Sequence, residues 1–243
     1  MSGNPGVAGM LARMKDRIVI VTGAGGGVGQ HLVRRWLDAG VSVVAVDRTA
    51  GHLDTLGTHP NLATTEGNLL TEEGAKEVVA FARRVFGVPD TLIHTVGGFA
   101  MGPIDAEEGA KQWDMMLALN VTSNFHAYRA MLPSLRERGG GWLLGIGSRA
   151  ALQPTKHIAA YAASKAALIA LTQSMSDELR HEDIHVNMVL ASTIDTPANR
   201  SAMGEAAAAK WVTPDDIADA TLFLCSEQAC SVYGATLEVY AKA

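Results

Sequence analysis

The sequence predicts an α/β fold: one domain with a doubly wound, mostly parallel seven-stranded sheet and helices on both faces. Three observations carry this expectation. Short apolar runs alternate with helix-period segments along the 243 residues, the pattern of strand–helix–strand crossovers. The first apolar run leads straight into a glycine-rich turn and a helix. No second core, repeat or linker interrupts the alternation, and the length suits one domain.

Residues 17–22 read as a buried strand, followed by a helix over 27–39 that stops at Gly40. Residues 41–47 form the second strand and 61–66 a weaker third; a helix over 71–86 ends at Gly87, and 91–96 is the fourth strand. A long helical stretch over 109–138 is expected to bend at Pro133, which lacks an N–H and crowds the preceding turn. Glycines 139–141 break it. Then come a strand over 142–148, a helix over 158–181, a strand over 184–190, a helix over 214–225 and a last strand over 236–240. Residues 1–15 read as a flexible leader before a single domain over 16–243, in which 197–212 is a short lid.

Composition narrows the function. The chain is 48% hydrophobic and 19% charged with a net charge of −5, which speaks against a broad nucleic-acid or anionic-membrane surface. No apolar run is long enough to span a bilayer. Cys225 and Cys230 lack metal or redox spacing and are expected as buried reduced thiols, in keeping with a cytoplasmic location. His181 and His185 are four apart but straddle a helix end and a strand start, so no metal site is expected.

Thr22-Gly23-Ala24-Gly25-Gly26-Gly27-Val28-Gly29 joins the first strand to the first helix. Backbone N–H groups and the positive helix end converge at such a turn, which suits a pyrophosphate, and glycines leave room for its approach. The spacing is Thr-Gly-x-x-x-Gly-x-Gly rather than Gly-x-Gly-x-x-Gly. Asp47 closes the second strand, 24 residues after Gly23, where a carboxylate hydrogen-bonds both adenosine ribose hydroxyls and repels a 2′-phosphate. NAD(H) is therefore the expected cofactor; Arg48 beside it keeps NADP(H) as the alternative.

Tyr161 and Lys165 share one helix face, so an ammonium stands near a phenol that is otherwise a poor base. Ser148 ends a parallel strand on the carboxyl side of the sheet, where open α/β folds bind ligands, and its hydroxyl can donate to a carbonyl gaining negative charge.

Together these residues resemble the short-chain dehydrogenase/reductase family over about residues 14–240. Its glycine motif matches Thr22, Gly23, Gly27 and Gly29, and its Ser, Tyr and Lys match Ser148, Tyr161 and Lys165, with the usual thirteen-residue Ser-to-Tyr gap. Its helix-borne Asn matches Asn120 in Leu-Asn-Val-Thr. The resemblance implies a Rossmann-type fold and hydride exchange between nicotinamide and a carbonyl or alcohol carbon. Tyr161 would be the acid/base, Lys165 would lower its pKa and bind the nicotinamide ribose, and Asn120 would complete a proton relay. It also implies a homodimer or homotetramer.

The departures from the family pattern are local. His94-Thr95-Val96-Gly97-Gly98 replaces Asn-Asn-Ala-Gly, with Gly97 keeping the cofactor-facing turn. Asn68 replaces an Asp before the adenine-contacting position, Leu69. Ala191-Ser192 replaces Pro-Gly, while Ile194 and Thr196 remain at the carboxamide-binding positions. His94, Phe99, Arg149, Gln153 and His157 are expected to face a small-molecule carbonyl or alcohol substrate, and the short lid suggests an open pocket for a bulky one. Two alternatives stay open. Val96-Gly97-Gly98-Phe99, residues 190–200, Trp211 and Pro214 resemble the dihydropteridine reductase branch, implying NADH-dependent pterin reduction. A non-catalytic nucleotide-binding redox sensor is the other, against which the intact Ser148, Tyr161 and Lys165 speak.

Overall fold

A computed structural model describes residues 16–242; the leader expected over 1–15 lies outside the described residues. The strands are β1 (Ile18–Thr22), β2 (Ser42–Asp47), β3 (Leu62–Glu66), β4 (Thr91–His94), β5 (Gly141–Ser148), β6 (Ile184–Ala191) and β7 (Thr236–Val239). They form one sheet in the order β3-β2-β1-β4-β5-β6-β7, with every neighbouring pair parallel. The strand order reverses between β1 and β4, which opens a crevice at their carboxyl ends.

The continuous apolar runs reflect burial on both faces. In β1, Val19 and Val21 pack with Leu32 and Trp36 of α1 (Gly29–Asp38) and Ile217 of α7 (Pro214–Leu224). Ile20 points the other way, toward Val78 of α2 (Glu72–Val85), Met131 of α4 (Ser123–Arg138) and Met175 of α5 (Ala159–Leu179). Local chemistry sets the helix ends. Thr71 accepts the Gly74 N–H at the start of α2, and Thr213 and Asp216 form a reciprocal capping box at the start of α7. Gly139, at φ 76°, ends α4.

The long helix departs from expectation. Pro133 lies inside α4, which continues to Arg138. The break comes earlier: α3 (Gly109–Leu117) passes into a π-helical turn at Ala118–Thr122 before α4 begins. A widened turn loosens the usual carbonyl pairing. Side chains compensate, as Ser123 Oγ donates to the Leu119 carbonyl (2.6 Å) and Asn124 Nδ2 to that of Asn120 (2.9 Å). Cys225 is buried, but Cys230 falls in the turn beyond α7 and is exposed, correcting the expectation that both thiols are buried. The lid folds as α6 (Pro197–Met203) and a 3₁₀ segment over Glu205–Lys210. Among the described residues no helix is long and apolar enough to cross a membrane.

Candidate active site

The glycine loop leaves β1 at Thr22 with Gly23 in the left-handed region at φ 66°. A Cβ on Gly29 would lie 2.1 Å from the Gly23 carbonyl oxygen, so the first helical turn can close onto the loop only with glycine there. The loop, from Gly23 through Gly25, Gly27 and Val28 to Gly29, forms one wall of a cleft of about 750 Å³. Asp47 and Arg48 stand at one end, Asn68 and Leu69 line the side, and Gly97 and Thr196 lie toward the other. A cavity of this size suits a dinucleotide. Thr22 is buried beneath the loop, and Ile194 bridges to Val212 outside the cleft wall.

Gly97 links the cleft to the catalytic group. A Cβ there would sit 2.7 Å from Asn120 Oδ1 and 3.4 Å from Lys165 Nζ. Asn120, placed by the π turn, accepts the Gly98 N–H (2.9 Å) and donates through Nδ2 to the Gly98 carbonyl (3.1 Å) and to Ser164 Oγ (2.9 Å). Lys165 is buried and donates to the Ile146 carbonyl (2.9 Å). Burial lowers its pKa to about 8. Tyr161, one turn earlier on α5, hydrogen-bonds Ser148 at the end of β5. Burial raises the phenol pKa, and the Ser148 bond opposes that rise. Lys165 Nζ stands 6.0 Å from the Tyr161 ring centroid. The Ser148 bond reduces the rise without reversing it.

His94 does not face the substrate, as the sequence suggested. It is 1% exposed and spans the core beneath the loop. Ser123 spends its proton on the Leu119 carbonyl, so its oxygen must accept from His94 Nε2–H (3.0 Å). Nδ1 is then free to accept from Thr22 Oγ1 (3.0 Å). Burial, and secondly the Lys165 charge, lower its pKa to about 3, so the ring is neutral at physiological pH. A polar residue at a strand end can point inward when two partners satisfy both nitrogens, and those partners are distant in sequence.

The mouth of the site is built from other expected residues. Phe99 packs edge-on against Tyr161 (4.9 Å between centroids, 74°) while remaining 62% exposed. The His157 carbonyl accepts from Gly102 N–H (2.7 Å), tying the segment after β4 to the approach of α5; His157 and Gln153 are exposed. The Arg149 guanidinium lies over the Tyr240 ring at 5.5 Å. Three contributors escaped the sequence reading. Thr95 Oγ1 donates to the Thr22 carbonyl (2.7 Å), Ser164 supports Asn120, and His52 lines the cleft beside Asp47. Thr95 and Ser164 are ordinary polar residues paired far along the chain, and His52, five residues past Asp47, sits in no spacing that marks a site.

Loop, cleft and Ser–Tyr–Lys group define a dinucleotide-binding oxidoreductase. The short chain dehydrogenase family matches residues 17–206, and the chain belongs to the short-chain dehydrogenases/reductases, which bind NAD(P)(H). It is similar to 2-(S)-hydroxypropyl-CoM dehydrogenase 3 of Xanthobacter autotrophicus, 30% identical over 95% of this chain and 97% of that protein. Among solved structures, it is similar to a short-chain dehydrogenase/reductase family oxidoreductase from Burkholderia thailandensis (31% identity, TM-score 0.82, 93% and 91% coverage). The 3-ketoacyl-(acyl-carrier-protein) reductase of Brucella melitensis complexed with NADH is also similar (25%, 0.83, 94% and 98%).

Proposed function

We propose that this chain is an NAD(H)-preferring dehydrogenase/reductase of a ketone or secondary alcohol, with Tyr161 as acid/base. The observation that carries the reading is the convergence of Ser148, Tyr161, Lys165 and Asn120 beside Gly97, at one end of the cleft. When bound, the nicotinamide supplies or takes up the hydride. Burial keeps Tyr161 a phenol in the free protein, the form that donates a proton to the substrate oxygen during reduction. Ser148 holds that hydroxyl and donates to the carbonyl as negative charge develops. The Lys165 ammonium favours the phenolate that oxidation of an alcohol requires, and Asn120 fixes the Gly98 backbone and Ser164 around it. Asp47 at the far end favours NAD(H).

Phe99, exposed and packed against Tyr161, favours an apolar, bulky carbonyl compound, and exposed Trp113 and Phe125 on α3 and α4 favour a homodimer or homotetramer. The test is a panel of ketones, secondary alcohols and a quinonoid dihydropterin with NADH and with NADPH. NADH-dependent ketone reduction is expected, abolished in Tyr161→Phe with NADH binding retained. Undiminished ketone reduction in that variant, or turnover of the pterin alone, would overturn the reading.

A further inference from the structure

Asp47 was expected to accept both hydroxyls of the adenosine ribose, but its carboxylate is largely committed to the protein itself. Oδ2 accepts the Gly25 N–H (3.0 Å), and Oδ1 accepts the Arg48 N–H (2.8 Å) and faces His52 Nδ1 at 2.9 Å. A carboxylate offers about four acceptor positions, so about one remains. Asp47 is also sheltered: its side chain is 12% exposed, against 59% for His52. The group presented to the cleft at this end is therefore the imidazole, which lines the same wall as Arg48.

His52 is held there by backbone. It ends a short 3₁₀ turn, Ala50–His52, that lies directly on the glycine loop; a Cβ on Gly25 would fall 2.5 Å from both His52 Cβ and its carbonyl oxygen. The turn is tied to β3, where Glu66 Oε1 accepts the Ala50 N–H (2.7 Å). Because Asp47 Oδ1 can only accept, Nδ1 is the donor, and in the neutral ring Nε2 carries the lone pair.

We propose that His52 is a second ribose-reading residue, whose Nε2 accepts the adenosine hydroxyl that Asp47 has no position left to accept. Two acceptors matched to two hydroxyls discriminate against a 2′-phosphate, which has no proton to give them. This rests on the reading that the cleft holds NAD(H). It differs from a role in folding, because the ring is mostly exposed and its side-chain hydrogen bond is to a residue of the same cleft.

The test uses His52→Asn, which keeps a donor in reach of Asp47 but withdraws the Nε2 group. Dissociation constants are measured by nicotinamide fluorescence for NADH, for its adenosine 2′-deoxy and 3′-deoxy analogues, and for NADPH. The native protein should bind each deoxy analogue about five-fold more weakly than NADH, the worth of one hydrogen bond. The variant should bind NADH about five-fold more weakly, lose discrimination against one of the two analogues while keeping it against the other, and melt at the native temperature. Native NADH affinity in the variant, or undiminished discrimination against both analogues, overturns the role of His52 while leaving NAD(H) as cofactor. Tighter binding of NADPH than NADH by the native protein overturns the cofactor reading, and the proposal with it.

Discussion

Replacing His94 by asparagine isolates the pH dependence that one buried imidazole writes into stability. The folded protein holds this ring at a pKa of about 3, through burial first and the Lys165 charge second. In the unfolded chain an imidazole titrates near 6.5, so between those values the unfolded state binds a proton that the folded state refuses. Stability from this site is therefore complete above about pH 6.5 and is lost as pH falls toward 3. The slope approaches about 1.4 kcal/mol per pH unit, so descending to pH 5 costs about 2 kcal/mol. Asparagine retains a donor and an acceptor between Thr22 and Ser123 but does not titrate. Urea unfolding at pH 7, 6 and 5, at one protein concentration, should show native stability falling by about 2 kcal/mol more than that of the variant. His185, also depressed mainly by burial, is common to both proteins and cancels from the comparison. Parallel stability–pH curves would refute the neutral, buried assignment of His94.

Two further perturbations probe the neighbouring groups. Lys165→Met should stabilise the fold by about 3 kcal/mol at pH 7 while eliminating turnover, because burial depresses the amine to about 8 and the protein holds it charged against that cost below this value; equal or lower stability in denaturant titrations would refute this. Gly97→Ala should lower kcat at least about ten-fold with little change in melting temperature, since the methyl group would press on Asn120 and Lys165; native kcat would show that those two positions tolerate displacement.

The strands were legible because sheet burial on both faces requires continuous apolar runs, as in β1 and β6, where every residue is buried. The phosphate loop was legible because close backbone packing excludes Cβ atoms, and Tyr161 with Lys165 because helical spacing is local. What stayed hidden depends on partners far along the chain. The π turn arises where Ser123 and Asn124 satisfy carbonyls of the preceding turn, and nothing in Leu-Asn-Val-Thr-Ser-Asn announces a change of helical pitch. His94 reads as a strand-end histidine until Thr22 and Ser123 close on its two nitrogens. Cys230 read as buried because a free cysteine usually is, whereas it lies in the turn beyond α7 and is exposed.

His94 and Lys165 also account for one another's charge. Both are buried at the strand reversal between β1 and β4, His94 beneath the glycine loop and Lys165 beside Gly97 three residues further on. The ammonium is the second cause of the depressed imidazole pKa, so a proton on Lys165 opposes one on His94. Two charges in this water-poor region would each lack a compensating anion, and the arrangement avoids that by giving His94 two neutral hydroxyl partners. Lys165 donates to the Ile146 carbonyl, in an environment that favours its neutral form. Such a group is poorly placed for stability alone, and it gains from any oxygen that accumulates negative charge nearby. On the proposed reading that oxygen is the Tyr161 phenolate, which explains why the fold tolerates a buried lysine here and keeps the adjacent histidine uncharged.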